Sequence, residues 1–298
     1  MIDLSAFRGE IAALGAAALW AFATLLFGRL GQRLSPLILN LVKGVIAVAL
    51  IAITLILRQQ LLAELPRPAT GLLLLSGAIG IGFGDTAYFA TVNNLGPRRA
   101  LLMEMLAPPL AAVIAIVALQ ERLSGLAWLG IGLTLAGVAW VVSERVPAVR
   151  YPAARFGRGI GFGLLAALGQ SVGAVLSRAA LADTSVAPLW SSLLRLLAGL
   201  LAMLLLLLRP RMRQGLAPLK SKHLLAGVAI AAFFGTYLAI WLQQTALKFA
   251  PTGIAQSLLA TSPLFVLPMT LLLGERVTLR SLLGAAVALA GICLLFTR

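Results

Sequence analysis

Ten apolar runs, each close to 20 residues long and parted by short polar knots, dominate the chain. An α-helix of about 20 residues crosses ~30 Å of hydrocarbon. Backbone polar groups in lipid must be satisfied within their own segment, so helices are the form such runs take. The ~10-residue alternation of a membrane barrel is absent. The runs fall near 9–28, 35–57, 69–92, 98–119, 124–143, 159–181, 186–208, 223–247, 252–273 and 279–297. The chain is 61% hydrophobic and only 11% charged, too few charges to clothe a soluble domain of 298 residues. The expected fold is an all-α integral membrane protein with ten transmembrane helices.

A second feature sets how those helices are arranged. Residues 97–137 reappear 154 positions later. Pro97 matches Pro251, Pro109 matches Pro263, and Glu121-Arg122 matches Glu275-Arg276. Gly130 matches Gly284, and Gly137 matches Gly291. Pro109 falls in the fourth run and Pro263 in the ninth. Five is an odd number of crossings, so the two copies are expected to traverse the membrane in opposite directions. The prediction is two inverted five-helix repeats, residues 1–145 and 159–298, joined by a polar linker at 146–158. Inverted repeats let one protein alternate between inward-open and outward-open forms.

The formal net charge of +15 is spread over many connectors, with no contiguous basic patch, so no nucleic-acid partner is expected. Juxtamembrane Lys and Arg explain it, through orientation and anionic headgroups. Most of these cations lie on the side opposite the N-terminus, which by the positive-inside rule favours termini outside the cytoplasm. MIDLSAFRGE carries no basic n-region or cleavage site, so no removable signal peptide is expected. One Cys (Cys293) and one His (His223) build neither a metal cluster nor a His-dependent triad, and no Walker motif is present. An enzyme and a primary pump are therefore poor readings, and no cofactor or metal is expected.

Ala107-Pro108-Pro109, followed by Leu119-Gln120-Glu121-Arg122-Leu123, resembles the drug/metabolite transporter superfamily, in particular its EamA type. So do Ser262-Pro263 through Leu273-Gly274-Glu275-Arg276-Val277, the paired glycines, and a cation in the second helix of each half, Lys43 and Arg195. Gln120 stands where a Gly usually precedes the Glu. The resemblance implies a ten-helix carrier of small metabolites such as amino acids or drug-like compounds, commonly working outward. It also implies cytoplasmic termini, against the charge distribution. The expected setting is a bacterial cytoplasmic (inner) membrane. The expected partners are a small-molecule solute and the lipid bilayer, with the chain as monomer or homodimer. A lipid-handling flippase or scramblase of the same fold is the alternative.

Several polar residues lie where lipid would penalise them. Asp85, in GIGFGDTAYF, costs ~2.5–3.5 kcal/mol to insert unless a wet cavity or a partner receives it. It is the first candidate for proton coupling or a structural ion pair with Lys43, and Tyr88 follows at i+3 on the same face. Glu104 is the second acidic candidate. Lys43 and Arg195 serve as structural or solute-binding cations, and their duplication favours a scaffold. Tyr237, Trp241 and Gln244 form one stripe, suited to a cavity wall or to the membrane interface. Trp20 and Gln256 are further cavity candidates, and Gln170, Ser171, Ser257 and Thr261 weaker ones. Glu10 suits capping of the first helix. Pro108, Pro109, Pro263 and Pro268 are expected inside helices, as kinks and candidate gating hinges. Glu121 and Glu275 are expected to pair with the neighbouring arginines at turns.

Overall fold

The computed structural model describes residues 4–30, 36–60, 65–95, 97–142, 153–207, 221–272 and 278–296. Among them, every regular element is helical. The second copy of the Glu-Arg motif (Glu275-Arg276) and most of the 146–158 linker lie outside the described residues. Seven described helical spans are long and apolar enough to cross a bilayer, and two shorter apolar helices lie at Thr252–Val266 and Leu282–Leu295.

In the first copy, α1 covers Arg8–Leu30 and α2 covers Pro36–Leu57. α3 (Arg67–Gly77) passes through a π-helical turn, Ala78–Gly84, into α4 (Asp85–Leu95), with helical backbone angles at both joins. α5 (Pro97–Glu104), α6 (Ala107–Leu119) and α7 (Gly125–Val142) follow. The second copy comprises α8 (Ala153–Leu181), α9 (Pro188–Leu207) and α10 (Lys222–Ala232). A second π-helical turn, Phe233–Leu238, leads into α11 (Ala239–Phe249). α12 (Thr252–Leu259), α13 (Ser262–Leu272) and α14 (Leu279–Leu295) complete it.

Two local irregularities recur at equivalent places. The third and eighth apolar runs each carry a π-helical turn, a widening often found at functional sites. The fourth and ninth runs are each broken into two helices. Leu106 N–H bonds to Met103 O at 3.1 Å in one, and Thr261 N–H to Leu258 O at 3.2 Å in the other. The prolines explain the break and correct their expected position. Pro108, Pro109 and Pro263 sit in the first turns of α6 and α13, not inside continuous helices. A first turn has spare N–H groups, so a proline costs little there. Pro268 alone is inside its helix.

Small side chains set the packing. Ala13, Ala16, Ala17, Ala111 and Ala112 are fully buried, while Val117 and Leu205 expose 72% and 68% of their surface. Helices in lipid gain nothing from hiding leucine, so interiors favour residues that admit close approach. One close contact joins the ends of the two copies. A Cβ on Gly130 of α7 would stand 3.0 Å from Gly291 O of α14, and one on Gly284 would stand 3.1 Å from Gly137 O. Gly130 is the repeat equivalent of Gly284, yet it meets Gly291. The equivalent glycines cross-pair, so α7 and α14 run antiparallel about a local two-fold relation.

Candidate functional site

A cavity of about 40 Å³ lies between the copies. The first copy contributes Asn40, Lys43 and Gly44 from α2, Ile81 from the π-helical turn and Asp85 from α4. The second contributes Leu196, Leu200 and Met203 from α9, with Thr236 and Ile240 from the second π-helical turn and α11. Ile81, Asp85, Thr236 and Ile240 lie near the middle of their spans, while Asn40 and Met203 lie closer to the ends of α2 and α9. The site thus unites both helical irregularities with two of the charges that the apolar runs carry.

Glycine brings Asp85 to its partners. α3, its π-helical turn and α4 cross α8 with backbone against backbone. A Cβ on Gly173 would stand 3.1 Å from the Cα of Gly80, and one on Gly169 3.1 Å from the Cα of Gly84. That proximity lets Gln170 Nε2 donate to Asp85 Oδ1 at 2.8 Å, with a longer approach of 3.5 Å to Gly80 O. On the same crossing Ser76 donates to Gly173 O at 2.6 Å and lies 2.9 Å from Ser177 Oγ. Lys43 and Arg195 both act on Asp85 through their charges. Arg195, 2% exposed, also donates from Nη1 to Gln243 Oε1 at 3.4 Å. Tyr88, one turn beyond Asp85, and Glu104, at the end of α5, are half-buried within electrostatic range of it.

The aromatic stripe lies beside the cavity rather than among its lining residues. Tyr237 shares a hydrogen bond of 2.8 Å with Thr54 Oγ1, and its ring is 6.1 Å from that of Trp241. Trp241 lies under the Arg58 guanidinium at 5.0 Å. Gln244 is fully buried, and its Oε1 accepts from Ser191 at 2.7 Å. Trp20 donates from its indole to Gly235 O at 2.9 Å, a carbonyl within the second π-helical turn. Gln256 is partly buried on α12. Glu10 is buried in the first turn of α1.

The sequence reading passed over Asn40, Thr236 and Gln243 and ranked Gln170 low. Asn40 precedes Lys43 by three residues on one helix, a spacing that places both on one face and was legible. Thr236 was hidden by its conspicuous neighbour Tyr237, and only the π-helical turn selects it.

Glu121 departs from its expected pairing with Arg122, which is exposed. Its Oε1 meets Arg178 Nε of α8 at 2.8 Å, and Oε2 accepts from Thr252 N at 2.8 Å. The carboxylate thus caps the start of α12, where free N–H groups gather. Arg178 Nη1 bonds to Leu247 O at 3.1 Å and to Lys248 O, closing the end of α11. This conspicuous motif residue fastens the first copy to a corner of the second.

The model of the EamA-like transporter family matches the chain twice, over residues 7–143 and 157–297. None of the curated proteins compared with it matches. A solved structure described as "Crystal structure of protein" is similar in fold. It has 17% sequence identity and a TM-score of 0.81, with 96% of this chain and 95% of that one covered.

Proposed function

The chain belongs to the EamA-like transporter family and is a multi-pass integral membrane protein, and from that premise we propose a secondary carrier of small organic metabolites that works by alternating access. Amino acids and drug-like compounds are the solute class, export is the direction, and the bacterial cytoplasmic membrane is the setting. Ten transmembrane helices in two inverted five-helix repeats, 1–145 and 159–298 about the 146–158 linker, form the moving parts.

One observation carries the reading: the cavity that holds Asp85 and Lys43 is walled by both copies. A site shared between two halves changes its access when the halves tilt. About 40 Å³ holds roughly three waters, at ~10–15 Å³ each, and is far below the ~300–1,000 Å³ of a typical ligand pocket. A whole metabolite enters only when the halves part, so this conformation represents a closed form of the cycle. The antiparallel cross-pairing of α7 and α14 supports the inverted arrangement. The breaks before Pro108-Pro109 and Pro263 are the proposed hinges. Asp85 is the proposed proton carrier, with Glu104 second, while Lys43 and Arg195 hold its charge. Tyr88, Tyr237, Trp241, Gln244, Gln256 and Trp20 are proposed to meet the solute once the halves separate.

Counterflow in proteoliposomes tests this, with labelled amino acids and aromatic metabolites. Saturable, solute-specific exchange is the expected outcome. Scrambling of labelled phospholipid with no metabolite exchange would replace the carrier by the lipid-handling alternative.

A further inference from the structure

We infer that a latch closes one face of the carrier, the face on which α1 begins. The end of α2, from the first copy, is clasped there by Trp190, Tyr237 and Trp241 of the second, and the cavity opens to that face only when Arg58 leaves Trp241. This rests on the carrier reading and supplies its gate.

Three contacts between the copies meet at this place. Trp190 donates from its indole to Gln60 O at 2.9 Å. The Arg58 guanidinium lies 5.0 Å from the centre of the Trp241 ring. Thr54 Oγ1 and the Tyr237 hydroxyl are 2.8 Å apart. Thr54 gives its one hydroxyl hydrogen to Leu50 O at 2.8 Å, so Tyr237 is the donor between them. The clasp follows from how α2 ends. Gln59 takes φ 55°, the left-handed region, and Gln60 N–H returns to Leu55 O at 2.9 Å. That turn presents Gln60 O to Trp190.

The latch lies beyond the cavity, not around it. Thr54 follows Lys43 by eleven residues, about 16 Å along α2 at ~1.5 Å per residue. Between them, Ile51 and Leu55 of α2 pack with Leu189 and Leu193 of α9 in a buried apolar cluster that reaches Leu196 at the cavity wall. The cavity extends the other way, to Asn40 near the start of α2. The apolar cluster is the plug, and the three contacts hold it shut. A solute passing this face must part α2 from α9 and α11, which breaks all three. Arg58 is exposed, and a cation over a ring is a weak attraction at an exposed site, so the latch releases without unfolding a helix.

The repeat does not copy this closure. The two π-helical turns end just before Asp85 and Ala239, which keeps the 154-residue offset. At that offset Tyr237 matches Phe83, and Trp241 matches Ala87. Phe83 is 52% exposed, and Ala87 has no ring. A two-fold relation alone would build equal closures at both faces. Among the described residues the aromatic clasp stands at one, where the copies have diverged.

Thiol labelling of the purified full-length protein tests the latch independently of transport. Cys293→Ser removes the one native thiol, and Ile51→Cys places a reporter in the plug, with Leu55→Cys as a second. Arg58→Ala and Tyr237→Phe each delete one latch contact and leave the plug in place. Each is expected to speed labelling by a water-soluble maleimide about two- to tenfold. Val138→Cys, buried on α7 away from the latch, is the control, and its rate is expected to stay unchanged. An unchanged rate at the plug in either variant would overturn the proposal, and so would an equal increase at the control. Faster labelling with no counterflow of any metabolite would uphold the latch and sink the carrier reading. Saturable exchange with no faster labelling would do the reverse.

Discussion

Gln170 Nε2 donates to Asp85 Oδ1 across 2.8 Å, from α8 of the second copy to α4 of the first. The carboxylate is therefore held by the opposite half, so the proposed movement of the halves would change its hydration. A group whose hydration changes during the cycle is suited to exchanging a proton. Asp85→Asn is expected to retain the fold and abolish solute accumulation driven by a pH gradient, a loss of at least about tenfold. Gradient-driven uptake in proteoliposomes at unchanged protein content measures it. Uptake equal to wild type in both Asp85→Asn and Glu104→Gln would end the proton-coupled version.

The crossing that places Gln170 depends on the bareness of Gly173, where a Cβ would press on Gly80. Gly173→Ala is expected to cost ~1–3 kcal/mol, because overpacking forces the backbones apart. Gly173→Leu is expected to prevent assembly. Melting temperature in detergent reports the first, and the yield of monodisperse protein the second.

Glu121 holds two partners at once, Arg178 and the N–H of Thr252. Their side chains are only 11% and 17% exposed for Glu121 and Arg178, so the pair is largely shielded from water. Glu121→Ala leaves both a cation and a helix start unsatisfied, and a loss of ~3 kcal/mol is expected. Arg122→Ala, at the exposed neighbour, is expected to change stability by less than ~0.5 kcal/mol. Comparing the two melting temperatures separates them.

Gln120 ends α6 at φ 55° and ψ 28°, the left-handed region. A side chain there carries a penalty that glycine avoids. Gln120→Gly is expected to raise stability by about 1 kcal/mol, less the bond from Gln120 Nε2 to Val117 O at 3.0 Å. A rise in melting temperature with unchanged counterflow is the check. The second copy already has Gly274 at this place.

The helical class, the membrane setting and the duplication were legible in the linear order of residues. Hydropathy and the 154-residue offset depend only on that order. Proline positions were legible too, but not whether Pro109 kinks a helix or begins one, because that depends on which hydrogen bonds the neighbouring turn gives up. Asp85 was legible as costly, and its partners were not. Gln170 is 85 positions away, and its approach rests on glycines of two segments meeting face to face. Likewise, the pairing of Glu121 with Arg178 rather than Arg122 follows from the direction in which α8 passes the end of α6. Order along the chain determined what must leave water. Packing in three dimensions decided which buried polar atoms find partners, since side chains without a hydrophobic drive in lipid are placed by shape and hydrogen bonding.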